Sequence, residues 1–274
     1  MNISYIASSG RIYPLTAASI KIKEAKFHAW EFKPEGTELL NGFRISQMRK
    51  QAATYQIKLI VRGNPVARAA TLDALHDDFE NDVRNMQTGR IVWGDWYADG
   101  YVVASETVPH DGYTGHWTEN TVDFYVPSGY WLKETKHSFT KASRPTTGFL
   151  EFPYDFEYDF TPPIASNATW DSGASFASDF KMEIKGYCIN PRITINGHVY
   201  AINATIPWGN IATIDSRNKT VIRTGTWSTL NLFDARGKEQ SVFEKIPMGV
   251  LSLSWGAFDF DLTLYEERSE PKWS

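Results

Sequence analysis

The sequence predicts a mostly β protein, with one long α-helix in its N-terminal half and a β-sandwich in its C-terminal half. Three observations predict this. Aromatic residues reach 14% (10 Trp, 13 Tyr, 16 Phe), and flat rings pack well on a pleated surface beside the β-branched residues that also abound here. Apolar and polar residues alternate with period two along much of the chain and give way to three-and-four spacing in one segment only. In the second half, short apolar runs are separated by turn residues at intervals that suit a sandwich. The chain has 274 residues, which as a prior corresponds to about two domains, each able to bury a core of its own.

Residues 1–62 read as short strands and turns. Ile20, Ile22, Phe27, His28, Ala29, Trp30 and Phe32 carry apolar signal, which breaks at Pro34-Glu35-Gly36. Thr54–Val61 alternates cleanly, with Tyr55, Ile57 and Leu59 on one face and Gln56 and Lys58 on the other. A helix is predicted over about 65–88. It starts after Asn64 with Pro65 in the first position, and Leu72, Leu75, Phe79, Val83 and Met86 form its apolar stripe. Glu80 and Arg84 stand one turn apart as an exposed pair, and Gly89 is expected as the left-handed cap. The acidic cluster Asp73, Asp77, Asp78, Glu80 and Asp82 reads as a solvated face or, alternatively, as a contact between subunits. Strands are expected on either side of Asp99-Gly100, a hairpin signal, and at Thr121–Val126, with a polar loop at 109–120 between them. A break at Pro127-Ser128-Gly129 precedes Tyr130-Trp131-Leu132.

Lys141–Gly148 has linker character, and the domain boundary is placed there: 1–145 for an N-terminal β-rich domain and 146–274 for the C-terminal sandwich. The second half contains only strands and turns. Phe152, Tyr154, Phe156, Tyr158 and Phe160 alternate with Pro153, Asp155, Glu157 and Asp159. Phe180, Met182 and Ile184 alternate with Lys181, Glu183 and Lys185. Asn190-Pro191 reads as a turn and Asn196-Gly197 as a tight hairpin. Further strands are predicted at Ile211–Ile214, Thr220–Arg223, Val250–Ser254 and Phe258–Tyr265; in the last, Phe258, Phe260, Leu262 and Leu264 face away from Asp259, Asp261 and Thr263.

Several function classes are disfavoured. With 28 basic and 32 acidic residues the net charge is -4, and no basic block offers an electrostatic footprint for duplex nucleic acid. No run approaches the ~18 apolar residues of a membrane span, and the first residues carry no secretory signal pattern. The single cysteine, Cys188, excludes an internal disulfide and reads as a small buried side chain; the lack of paired thiols suits a reducing compartment. The Walker, zinc-protease, nucleophile-elbow and dinucleotide motifs are missing.

Three constellations invite a chemical reading. Asp155, Glu157 and Asp159 beside aromatic rings resemble a glycosidase cleft, but residues two apart share one face of one strand, whereas acid and base must flank the substrate. A half-buried strand explains them better; a bound cation is the alternative. Of His28, His76, His110, His116, His137 and His198, only His110 and His116 lie together, beside Asp111, and a third or fourth metal ligand is not evident. Trp93, Trp96, Tyr97, Trp117, Tyr130 and Trp131 suit core packing or a protein interface more than stacking on sugars or bases. No catalytic, cofactor-binding or metal-ligating residue is nominated, and no cofactor is expected.

The C-terminal half resembles a known family. The run Asn190-Pro191-Arg192-Ile193-Thr194-Ile195-Asn196-Gly197-His198-Val199-Tyr200 is followed by Ile214-Asp215-Ser216-Arg217-Asn218-Lys219-Thr220-Val221, Asn231-Leu232-Phe233-Asp234, the Pro247-Met248-Gly249 turn and the closing Tyr265–Trp273 segment. This succession is similar to the distal tail proteins of long flexible-tailed bacteriophages; the N-terminal half agrees in layout more than in motif. The resemblance implies a virion protein of the tail tip, made in the host bacterial cytoplasm and acting as a structural hub with no enzymatic activity. It implies N-terminal domains that self-associate into a ring, typically a hexamer, around the DNA channel. The ring would join the tail tube protein to baseplate hub and receptor-binding proteins, without membrane insertion or sequence-specific nucleic-acid binding. It also implies a galectin-like C-terminal sandwich. "Galectin-like" describes shape, since no sugar-binding motif matches. The alternative is a saccharide-binding module used in host recognition, for which Trp170, Trp208, Trp227 and Trp255 are the candidate stacking residues.

Overall fold

The cleanest alternation in the sequence becomes a central strand: in Ala53–Arg62, Tyr55, Ile57, Leu59 and Val61 are all buried while Gln56 is exposed. The computed structural model describes residues 2–112, 115–142 and 166–272. It is mostly β with one α-helix, and divides into two compact units, Met1–Lys133 with Glu267–Ser274, and Glu134–Glu266. The sequence-based division at 145/146 falls in a stretch, 143–165, outside the described residues, as does the acid-and-aromatic segment 151–160.

The strands of the first unit are β1 (Ile3–Ile6), β2 (Ile12–Pro14), β3 (Ile20–Ala25), β4 (Phe32–Leu39), β5 (Gly42–Lys50) and β6 (Ala53–Arg62). After the helix α1 (Pro65–Arg84) come β7 (Gly89–Trp93), β8 (Trp96–Gly112), β9 (Gly115–Val126) and the start of β10 (Trp131–Phe139). The sheet runs β2-β1-β7-β8 and continues through β9 and β6 to β3. All these pairings are antiparallel. Two expectations need correcting. The β7–β8 turn lies at Gly94-Asp95, between paired Trp93 and Trp96, and not at Asp99-Gly100. Gly94 takes the positive φ (59°); Gly100 sits inside the strand because a Cβ there would stand 2.3 Å from the Tyr125 carbonyl oxygen. Residues 109–120 are also not a loop: they belong to β8 and β9, which stay paired out to Gly112 opposite Gly115, and only Tyr113 and Thr114 of that tip lie outside the described residues.

The helix begins as expected, with the Asn64 side chain accepting a hydrogen bond from the Ala67 N–H at 2.8 Å and Pro65 following it. Glu80 and Arg84 pair at 2.7 Å. The buried face is Leu75 and Phe79, but Val83 and Met86 are exposed and Asp78 and Asp82 are buried in their place. The acidic cluster is therefore split: Asp73, Asp77 and Glu80 are solvated, while the other two carboxylates are core hydrogen-bond acceptors. Tyr13 Oη donates to Asp78 at 2.6 Å and Ser9 Oγ at 3.1 Å. Asp82 accepts from Tyr5 Oη and, at 3.0 Å, from the Ser8 backbone N–H. Burial, then the hydrogen bond to Asp82, push the Tyr5 phenol well above its ordinary range.

The helix ends earlier than Gly89. Gln87 N–H donates to the Asp82 carbonyl (3.0 Å) and Met86 N–H to that of Val83 (3.2 Å), a Schellman arrangement whose left-handed residue is Met86 (φ 53°). A side chain at that φ is disfavoured by about 1 kcal/mol. Met86→Gly is therefore expected to raise the urea midpoint of the first unit by a stabilisation of about 1 kcal/mol; an unchanged or lower midpoint would show that the exposed Met86 side chain matters more than its backbone.

The second unit holds the rest of β10 and β11 (Ser166–Asp171), β12 (Asp179–Lys185), β13 (Cys188–Ile189), β14 (Arg192–Ile195), β15 (His198–Ala201) and β16 (Thr205–Ile206). These are followed by β17 (Ile211–Asp215), β18 (Thr220–Thr224), β19 (Thr229–Asn231), β20 (Val250–Trp255) and β21 (Asp259–Arg268), whose last residues return to the first unit. One sheet is ordered β19-β18-β17-β12-β21-β10 and a second β11-β20-β14-β15, while β13 and β16 form a small two-stranded sheet. Phe180, Met182 and Ile184 of the first sheet and Ile193, Ile195, Leu251 and Leu253 of the second share one buried core, with Phe180 against Tyr200 edge-on at 5.2 Å. This is the predicted β-sandwich. The Asn196-Gly197 hairpin is as read, with both residues at positive φ (48° and 85°) between paired Ile195 and His198. Strand β21 departs from expectation in being buried on both faces: Asp261 and Thr263 are covered as well as Phe260, Leu262 and Leu264. Asp261 is held by Lys136 (2.7 Å) and Lys185 (2.5 Å).

Candidate assembly surface

Among the described residues, those weighed for chemistry do not converge on a site; Asp155, Glu157 and Asp159 lie outside the described residues. His110 stacks on Trp117 (4.0 Å between centroids, 20° between planes), and among the described residues no group of three or more His, Cys, Asp or Glu could hold a metal ion. Cys188 is buried, and burial pushes its thiol up to about 11, which leaves almost no thiolate at neutral pH. Trp96, Tyr97 and Trp131 are core residues; Trp131 lies edge-on to Phe27 at 5.5 Å, and its indole N–H donates to Tyr55 Oη at 3.1 Å. No helix among the described residues is long and apolar enough to cross a membrane.

What the structure does display is an uncovered arm. Among the described residues, β4 and β5 pair only with each other, from Phe32 opposite Lys50 to Leu39 opposite Gly42. Residues directly opposed across an antiparallel ladder share a face. One face therefore carries Phe32, Pro34, Met48, Ile45 and Phe43, with Lys50 at its base and Glu38 opposite Phe43; the other carries Lys33, Arg49, Glu35, Gln47, Thr37 and Arg44, with Leu39 at its tip. The register shifts after Glu35–Gln47, so that Gly36 opposes Ile45 and Ser46 is the extra residue. Glycine is required there, since a Cβ would stand 1.9 Å from the Arg44 carbonyl oxygen. The apolar face is open: Phe43 is 48% exposed, Ile45 51% and Met48 56%. An isolated two-stranded ribbon is at best marginally stable in water, and an amphipathic one is built to be covered.

The base of the arm is fixed. Lys50 Nζ is buried, lacks a hydrogen-bond partner among the described residues and lies 4.7 Å from the Phe32 ring centre, 5.3 Å from Tyr130 and 5.6 Å from Trp30. Three ring faces replace water around the ammonium, and burial lowers its pKa from the ordinary lysine value. Gly129 (φ 68°) makes room, because a Cβ there would approach the Gln51 carbonyl oxygen to 2.1 Å.

Sequence reasoning misses this arm because Pro34-Glu35-Gly36 reads as a break and not as a bulged edge strand. The signal is present: the alternation of Phe43 and Ile45 slips by one residue before Met48, which is how a bulge looks in sequence.

A scan against protein-family models and a search of curated proteins return no match. Solved structures do match along their whole length. The crystal structure of the Dit protein of phage SPP1, described as a paradigm of the hub adsorption apparatus in phages infecting Gram-positive bacteria, matches with a TM-score of 0.65 at 8% identity, over 97% of this chain and 99% of that one. A chain of the phage p2 baseplate in its activated conformation with strontium gives 0.61 at 12% identity, over 98% and 99%. The calcium form gives 0.58 at 13% identity, over the same shares. At these identities the likeness is one of fold, and by fold this chain is similar from end to end to the SPP1 Dit protein and to a component of the p2 baseplate.

Proposed function

We propose that the chain is a structural hub protein of a bacteriophage tail tip. The observation that carries this reading is the full-length match to a hub protein in both units, with 97% of this chain and 99% of the SPP1 Dit chain aligned. In this role the first unit self-associates into a closed ring, a hexamer, between the tail tube and the tip proteins that contact the host, and the DNA passes through it. A repeated head-to-tail contact closes such a ring when its rotation allows, and the open face of β4–β5 is the surface suited to make it. A net charge of -4 suits a channel that must release DNA, because a cationic lining would hold phosphates by counterion release. The function is mechanical and not enzymatic.

The test is sedimentation velocity with negative-stain imaging of the full chain over a range of concentrations. Six-membered rings are expected. Phe43→Glu and Ile45→Glu, which place charge on an exposed apolar face, are expected to weaken association at least about tenfold, the ~1.4 kcal/mol of one lost apolar contact, with the circular dichroism spectrum unchanged. A monomer at every concentration, or rings indifferent to both substitutions, would overturn the assignment of the arm.

A further inference from the structure

We propose that one end of the second unit is a binding site for neutral saccharide. The register of the first sheet of the sandwich places this end without ambiguity. Lys185 pairs with Ile211, Ile211 with Thr224 and Thr224 with Thr229. The turns that follow β12, precede β17 and join β18 to β19 therefore leave the sheet along one row, and each carries one aromatic residue: Tyr187, Trp208 and Trp227.

These rings are displayed and not packed away. Trp227 is 95% exposed, Trp208 75% and Tyr187 45%. Trp170 and Trp255, the other two tryptophans weighed from the sequence, face the core. Tyr187 and Trp208 lie as a near-parallel pair, with centroids 6.2 Å apart and planes 25° apart. Their positions are set by backbone. Gly186 (φ 85°) lies beside the Trp208 ring, whose Cζ3 would stand 3.8 Å from a Cβ there, and Gly209 (φ 77°) turns the chain immediately after Trp208. Gly225 nests against Asn210, whose Oδ1 would stand 2.5 Å from any Cβ there. The Trp227 turn is thus seated on the Trp208 turn.

The residues between the rings identify the ligand class. Gly186-Tyr187, Pro207-Trp208-Gly209-Asn210 and Gly225-Thr226-Trp227-Ser228 contain no charged residue. A single-stranded nucleic acid would need cations along its backbone path as well as stacking rings, and an acidic polymer would need them too. A pyranose ring offers what these turns complement: an apolar C–H face to lie on an indole, and hydroxyl groups for the amide of Asn210 and the hydroxyls of Thr226 and Ser228. The ligand is therefore an uncharged hexose or N-acetylhexosamine oligosaccharide. This does not depend on the hub reading, since it rests on the second unit alone.

The experiment is an array of neutral glucose, galactose and N-acetylhexosamine oligosaccharides probed with the full chain, followed by titration of the best binder. Trp208→Ala and Trp227→Ala are exposed substitutions expected to leave the circular dichroism spectrum and ring formation unchanged. Each is expected to weaken binding at least about tenfold, and the double variant to abolish it. Failure of the wild-type chain to retain any neutral glycan overturns the proposal, as does binding that survives in the double variant. Loss of assembly with no glycan bound would make this end a protein interface and overturn it equally. Ring formation in the wild type without glycan binding sinks this inference while leaving the hub reading intact.

Discussion

Gly89→Ala is expected to destabilise the first unit by about 3 kcal/mol, read as a shift of its urea midpoint at constant slope. A Cβ at this position would stand 2.2 Å from Tyr5 Oη and 2.6 Å from Asp82 Oδ2. Neither atom can retreat cheaply. Asp82 is fully buried and already accepts from Tyr5 and Ser8, and Tyr5 is wedged edge-on against Phe79 at 5.0 Å. Relief by moving the tyrosine breaks a charge-assisted hydrogen bond and leaves a buried carboxylate under-satisfied, which itself costs about 1–3 kcal/mol. Relief by moving β7 disturbs its pairing with β1 and β8. A shift smaller than about 0.5 kcal/mol would mean that the Tyr5–Asp82 contact is not what holds β1 to the helix. The double variant Gly89→Ala/Tyr5→Phe, with the hydroxyl gone, should be less than additive, because both changes act on one contact.

The second large effect is on the second unit and depends on pH. Burial alone would raise the Asp261 pKa, but hydrogen bonds from Lys136, Lys185 and Ser138 outweigh it and hold the carboxylate well below its ordinary range. Asp179 is shifted in the same direction: burial opposes, and Ser216 and Lys245 prevail. A group whose folded pKa lies below its unfolded one stabilises the fold above the unfolded value and loses that contribution as pH falls toward the folded value. The second unit should therefore keep a level melting temperature from neutrality down to about pH 4, the ordinary aspartate range, and lose stability below it. Asp261→Asn should cost on the order of 2 kcal/mol near neutrality, the worth of charge-assisted hydrogen bonds, and should flatten the acid limb of the profile. A variant whose melting temperature falls in parallel with wild type at every pH would refute the linkage.

Some of this was legible in sequence and some was not, for definite reasons. Leu75 and Phe79, the Asn64 cap and the Asn196-Gly197 hairpin are local: spacing, a cap and a turn contain their own explanation. The buried carboxylates are not. Asp78 and Asp82 look like their solvated neighbours Asp77 and Glu80, and what distinguishes them is the arrival of Tyr13 and Tyr5 from strands more than sixty residues away. The same holds for Asp261, whose polar position in an alternating strand is covered by lysines from β10 and β12. Asp99-Gly100 misled because a turn signal was also a packing requirement: Gly100 is needed for the closeness of Tyr125 and not for a bend. The candidate assembly surface was hidden for a different reason. Pro34-Glu35-Gly36 reads as a break, and the bulge at Ser46 puts Met48 out of step with Phe43 and Ile45, so the alternation that marks a strand is interrupted.

One consequence follows from the route of the chain. Because β10 leaves the first unit at residue 133 and β21 re-enters it at 267, the second module is an insertion and the first is discontinuous. Arg268 lies over the Trp96 ring at 5.7 Å, and Glu270 reaches within 4.0 Å of His28, so the final residues serve the module that holds the opening ones. No single cut of the polypeptide can release both modules whole. Severing the chain near its middle yields an amino-terminal piece lacking its closing segment and a carboxy-terminal piece that carries that segment away. The second module, contiguous from 134 to 266, can be obtained by truncation at both of its ends, whereas the first requires residue 133 to be rejoined to 267.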